Sequence, residues 1–268
     1  MVPAEQGFVA YASGFIERMR AKDQYDAARK QEVLLRSFLR FLGDAREVAF
    51  RDFDSGLMKA YQHWLQDRNL SYNSVSAYIR GLKKVYEQAV AQGIAVQANP
   101  FAEVHLSYRA KKNRTGLNLD ELRRLHRLDL SAFRRSVPLA RDMFLFAVYA
   151  RGMAGGDLLY LEKKNIRDGA LVYSGQTAGR PVCIPWEPVL REIADRYRTP
   201  GTPYLFPFIT ETDPEKKWKQ HVLALQRINR NLHKIGRLMD LPFTLNMTVA
   251  RHSWESMVKS VSVSDLIS

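Results

Sequence analysis

Apolar residues recur at steps of three and four along most of this chain, and that spacing predicts helices. Over residues 4–21 the repeat falls on Phe8, Tyr11, Phe15 and Met19. Over 25–42 it falls on Val33, Leu34, Phe38 and Phe41, and Gly43 marks the stop. Asp54 or Ser55 caps a third helix bearing Leu57, Tyr61, Trp64 and Leu65. The hydroxyls and amide of Leu70-Ser71-Tyr72-Asn73-Ser74 open a fourth, which runs to about Gln92 with Val75, Ile79, Leu82, Tyr86, Ala89 and Val90 inward. Arg80, Lys83, Lys84 and Glu87 are expected on its outer face, and Asn99-Pro100-Phe101 closes the unit.

The second half mixes two periods. A short helix is expected over 119–125, and one over 142–150 that is apolar nearly all round and so buried. Residues 165–173 read as a turn and strand, and 179–184 as its partner. Helices follow over 186–197 and 218–239, the latter with Trp218, Val222, Leu225, Leu232, Ile235 and Met239 inward, and a last one carries Trp254, Met257 and Val258 on its buried side. The fold class expected is mainly α with a small β-hairpin. A four-helix domain over 1–106 is joined by a basic linker, 107–116, to an α+β domain over 117–268.

Composition sharpens this. The chain has 268 residues, 46% hydrophobic, which supplies a packed core. Its one cysteine, Cys183, excludes an internal disulfide and fits a reducing cytoplasm. No stretch reaches the apolar length of a membrane span, and no signal peptide is visible. The formal charge is +13, of which residues 1–107 carry +2 and 108–268 carry +11. Charge this far from neutral favours a polyanion, most often nucleic acid; a merely solvated basic surface is the alternative. Lys111, Lys112 and Arg114 lie in the linker, where they would meet phosphates regardless of sequence. Arg227, Arg230, Lys234 and Arg237 sit three, four and three apart on one face of the long helix, a row able to track a phosphate backbone.

Thr248-Val249-Ala250-Arg251-His252-Ser253-Trp254 opens the last helix. An arginine there suits phosphodiester chemistry, because a planar guanidinium holds two oxygens of one phosphate. The run resembles the second-arginine box of the tyrosine recombinases, the phage and transposon integrases. Other phrases match in order: Ser71-x-Asn73-Ser74-Val75-x-x-Tyr78 and Asn99-Pro100-Phe101 resemble the core-binding domain, Leu119-Asp120-Glu121-Leu122 the opening of the catalytic domain, Leu205-Phe206-Pro207 a structural phrase, and Ile228-Asn229 the helix before the box. The resemblance spans residues from about 5 to 268.

It implies a site-specific recombinase of a bacterial mobile element, acting on double-stranded DNA in the cytoplasm, at the nucleoid. It also implies self-association on that DNA and a reaction that uses neither metal nor nucleotide cofactor. A tyrosine attacks the phosphate, arginines stabilise its charge, and a lysine on the β-hairpin protonates the leaving oxygen. The residues carried over are Arg251 on the phosphate, Thr248 where the family's first histidine stands, and His252 as an orienting residue. Gly152, Asp157 and Leu158 match the family's Gly-x-Arg-x-x-Glu-Leu frame, which puts Ala154 at the first arginine. Arg151, close by, either substitutes or is a surface residue. Gly155 and Gly156 would loosen this helix start. Thr177-Ala178-Gly179 takes the lysine frame, with Arg180 beside it as a DNA contact rather than a proton donor.

The last tyrosine is Tyr204, before the box, and Val261, Val263, Leu266 and Ile267 form an apolar cluster at the end. The missing tyrosine fits an integrase lacking its C-terminal segment, which the apolar end also favours, or a degenerate relative that binds DNA without cutting it, which Ala154 and Thr177 favour. A third class, an unrelated RNA-binding or scaffold protein, predicts no preference for duplex DNA. No Gly-x-x-x-x-Gly-Lys-Ser/Thr loop, zinc spacing or carboxylate cluster is present, against a helicase, a zinc-finger protein or a metal nuclease.

Overall fold

The computed structural model describes residues 7–96, 99–104, 107, 116–175 and 181–260. The chain divides into two compact units, Met1–Lys112 and Asn113–Ser268.

The first unit is helical: α1 (Phe8–Arg20), α2 (Tyr25–Leu42), α3 (Ser55–Asp67) and α4 (Tyr72–Ala91). Side-chain caps set several starts. Asp54 accepts from the Leu57 N–H at 2.8 Å, and Ser71 from the Ser74 N–H at 3.2 Å. The start of α1 is capped from a distance: Glu47 carboxylate oxygens accept from the N–H groups of Val9 (2.7 Å) and Ala10 (2.9 Å). The core is aromatic, with Phe8, Phe38, Phe53, Tyr61 and Tyr86 all buried. Phe8 lies 4.3 Å from Phe53, and Phe38 meets Tyr61 edge-on at 5.2 Å. Gln31, itself buried, donates to the Gly81 carbonyl at 2.8 Å and ties α2 to α4.

The second unit runs α5 (Leu119–Arg127), α6 (Ser136–Tyr149), α7 (Gly155–Leu159), three antiparallel strands, α8 (Pro188–Arg196), α9 (Pro214–Leu238) and α10 (Met247–Ser260). The strands β1 (Ile166–Arg167), β2 (Ala170–Ser174) and β3 (Pro181–Pro185) lie in the order β1-β2-β3. Leu171 pairs with Ile184 and Tyr173 with Val182, so Leu171 and Tyr173 share the face turned to the core.

Buried α6 is the centre of this unit; Met143, Phe144, Phe146, Ala147 and Val148 are each fully enclosed. It starts six residues before the apolar run that announced it, because 136–141 mix charge with apolar contacts. One of its buried residues is charged. Asp142 accepts from Arg141 Nε (2.8 Å), Arg196 Nη1 (2.6 Å) and the Tyr197 hydroxyl (2.8 Å), which joins α6 to α8. Helix α9 begins four residues earlier than its pattern, on the Asp213 cap and Pro214 at its first position. Among the described residues no helix is long and apolar enough to cross a membrane.

Burial raises the phenol pKa of Tyr11, Tyr61, Tyr149, Tyr173 and Tyr197 above the ordinary value. A raised phenol stays protonated in the folded chain while the unfolded chain ionises at about 10. Below that pH both states are neutral and nothing is lost; above it the unfolded state is favoured. The melting temperature is therefore expected to fall as pH rises from about 9 to about 11. Tyr61→Phe and Tyr197→Phe should flatten that limb. A melting temperature that does not change across the window would count against these burial effects.

Candidate nucleic-acid interface and phosphate site

Helix α10 is seated on close backbone contacts. Asn246 Oδ1 accepts from the Thr248 N–H at 2.9 Å and caps the first turn. Asn229 Oδ1, from α9, accepts from the Met247 N–H at 2.9 Å. Ser253 is fully buried; its Oγ accepts from the Leu117 N–H and donates to the Val249 carbonyl, both at 2.9 Å. Three glycines form the rest of the seat. A methyl on Gly116 would stand 2.7 Å from the His252 carbonyl, one on Gly155 2.9 Å from Met247 Cβ, and one on Gly152 2.9 Å from Arg251 Cα. Gly152 also has φ +73°, which disfavours any other residue.

Of the two glycines expected to loosen this helix start, Gly155 also has a packing role. Gly155 is the first residue of α7 and lets that helix close on α10. The inner side of α10 also differs from its pattern. Ser253 and Met257 are buried and Trp254 half-buried, whereas Val258 is 45% exposed. Apolar Ala250 and the Ser253 hydroxyl, both fully buried, fill the innermost positions of the helix.

The seat fixes where the box side chains stand. Arg251 is exposed, and its Nε donates to the Gly152 carbonyl at 3.3 Å, which leaves the Nη groups for a ligand. Thr248, one turn earlier, is exposed on the same side. His252 is exposed too, with Nδ1 3.6 Å from Glu255 Oε2, an ion pair when the imidazole is protonated. Arg151 directly precedes Gly152, the residue packed against Arg251; it adopts a left-handed backbone, φ +56°, and is exposed. Ala154 is the residue before α7 and offers only a methyl.

Tyr173 was not singled out by sequence. Burial raises its phenol, the Asp157 carboxylate adds to this, and the Arg251 guanidinium opposes it. Its hydroxyl therefore lies within electrostatic reach of both, and it is a donor near neutral pH. Alternation along β2 was the available signal, since it puts Tyr173 on the same face as Leu171.

Arg227, Arg230, Lys234 and Arg237 are all exposed on α9, and none has a carboxylate partner among the described residues. Asn229, flanked by the first two, is the residue bonded to the start of α10. The cations of α4 differ. Lys83 is half-buried and 3.7 Å from Glu87, Arg80 donates to the Ser76 carbonyl at 3.2 Å, and Lys84 is exposed. Lys111, Lys112, Arg114, Arg180 and the Thr177 frame lie outside the described residues.

Taken together, a helical first unit and a second unit with a three-stranded sheet and an arginine-bearing late helix build the fold of the solved λ and Tn1549 integrases. Residues 7–109 match the family model of the phage integrase SAM-like domain. The λ integrase (75–356) dimer bound to a COC′ core site is 15% identical, with 97% of this chain and 93% of that chain covered at a TM-score of 0.63. The Tn1549 transposon integrase in complex with transposon right end DNA is 12% identical, with 97% and 90% covered at 0.64. The λ integrase tetramer bound to a Holliday junction is 16% identical, with 98% and 76% covered at 0.62. Identities this low describe a shared fold. No curated protein matches the sequence.

Proposed function

We propose that this protein binds duplex DNA as an integrase does, with α9 along the phosphate backbone and Arg251 on one phosphate. The observation that carries this is the junction of α9 and α10: a row of four exposed cations without carboxylate partners among the described residues, tied through Asn229 to the helix that presents Arg251. The solved λ and Tn1549 integrase complexes, which hold DNA on the same fold, support it. So does the net charge of +13. Self-association on the duplex belongs to the same reading, since the λ integrase is seen as dimer and tetramer on its DNA.

Strand cleavage is a separate matter, and Ala154 favours binding without it. A methyl stands where the family's first arginine would neutralise the phosphoryl oxygens. Losing one such stabiliser commonly costs about 10²–10³ in rate. Thr248 adds a hydrogen bond but no proton transfer near neutrality. Cleavage through a phosphotyrosine is the reaction of the family this chain resembles; for this chain alone we propose duplex binding without it.

The experiment uses a nicked duplex that traps a covalent intermediate. The chain should bind it, give no denaturant-stable protein–DNA adduct, and bind more weakly after Arg251→Ala. An adduct that disappears in Arg251→Ala would instead show a working recombinase site.

A further inference from the structure

We infer that the first unit carries a second phosphate site, in the pocket between α2, α3 and α4, which holds a phosphodiester of the bound duplex. This rests on duplex DNA as the ligand of the chain. The pocket has a volume of about 240 Å³, and its polar lining is Arg36, Ser37, Arg40, Trp64, Arg68 and Tyr78. No carboxylate lines it.

Each of these side chains has a proton to give. The Arg68 guanidinium lies 3.6 Å over the Trp64 ring, so a stacked indole rather than a carboxylate holds it and its edge stays available. Arg40 is exposed and makes no ion pair among the described residues. Arg36 gives Nη2 to Glu32 at 2.9 Å and retains its other donors.

The hydroxyls point the same way. Fully buried Tyr61 donates to Ser37 Oγ at 2.9 Å, so Ser37 meets that bond as acceptor and keeps its own proton. Tyr78 lines the same pocket as Ser37. Three guanidinium groups around one small pocket repel one another unless an anion sits among them. A ligand that meets only donors must offer several acceptor oxygens. Phosphate does so, and guanidinium forks match its geometry. The site is not the set of α4 cations that the sequence brought forward, since of Lys83, Lys84 and Arg80 none lines it.

The test is duplex binding by the whole chain, followed by fluorescence anisotropy over a range of salt concentrations. Arg40→Ala with Arg68→Ala is expected to weaken binding about tenfold or more. The slope of log affinity against log salt should become shallower by about one. Arg40→Lys with Arg68→Lys should recover part of the loss, and Tyr78→Phe should cause a smaller one without changing the slope. Both arginines are exposed, so a fold defect is not expected, and a melt checks it.

Wild-type affinity and slope in the double alanine variant would overturn the inference and leave the pocket to an acidic protein segment. Inorganic phosphate, added to the wild type without DNA, should bind far more weakly than the duplex. Tight phosphate binding with duplex affinity unchanged in the variant would make this a site for a free anion, and would also overturn it. A wild type that binds no duplex overturns this inference together with the proposed function; loss of the pocket's effect alone leaves that function standing.

Discussion

Replacing Arg227, Arg230, Lys234 and Arg237 together by alanine is expected to weaken duplex binding about a thousandfold near 0.1 M salt. The four residues span ten positions of α9, about 15 Å of helix axis. Successive steps of three, four and three keep them on one side of it. Each exposed cation that meets a phosphate releases counterions, so log affinity changes by about 0.9 per decade of salt for every phosphate neutralised. Four contacts of this kind should make the slope shallower by about three to four. Alanine is the best helix former, and all four positions are exposed, so α9 should persist. Anisotropy on a labelled duplex reads both quantities. An affinity within a factor of about three of wild type, with an unchanged slope, would remove α9 from the interface.

Asp142→Ala should cost the second unit about 3–5 kcal/mol. Its carboxylate is 2% exposed and accepts from two arginines and a tyrosine. Removing it leaves Arg141, 15% exposed, and the Tyr197 hydroxyl beside a polar gap in the core. Breaking a buried pair at one partner costs more than the pair contributes, because the remaining charge has nowhere to go. Arg196 is 43% exposed and can turn to water, which limits its share. A thermal melt should show one transition lowered by roughly 10 °C while the first unit melts as before. Asp142→Asn keeps the shape and some of the acceptor capacity, and should lose less. Equal losses for Ala and Asn would place the effect in the charge alone; no loss for either would mean that water or other groups fully replace the carboxylate.

Much of this architecture is legible in the sequence because it depends on neighbours. The helices follow from three-and-four spacing, Asp54 and Ser71 cap the helices that follow them, and the α9 cations declare their common side by spacing alone. What is hidden depends on residues far apart. Glu47 caps α1 from 38 positions away. Ser253 holds Leu117 across 136. Gly116, Gly152 and Gly155 look like ordinary punctuation until α10 is laid against them, when a missing Cβ becomes the condition for the Arg251 seat. The Arg36, Arg40 and Arg68 pocket is assembled from three helices, and each arginine alone reads as a surface residue. Asp142 opens an apolar run whose pattern gives no sign of Arg196 and Tyr197, 54 and 55 positions later.

The candidate phosphate site divides in the same way. Arg251 and Thr248 were marked by a contiguous motif, and the seat explains how they are held outward. Tyr173 belongs to a strand 78 positions earlier, and its phenol feels the Arg251 charge only in the folded chain. Arg151 gains its place from Gly152, whose carbonyl receives Arg251.

The most direct measurement is the salt dependence of duplex binding by the unmodified chain, set beside single-stranded RNA of the same length. The predicted result is preferential binding to the duplex, with log affinity falling linearly and steeply in log salt, by several units per decade. Equal affinity for the two nucleic acids, or a duplex affinity indifferent to salt, would contradict a phosphate-tracking duplex interface on α9 and α10.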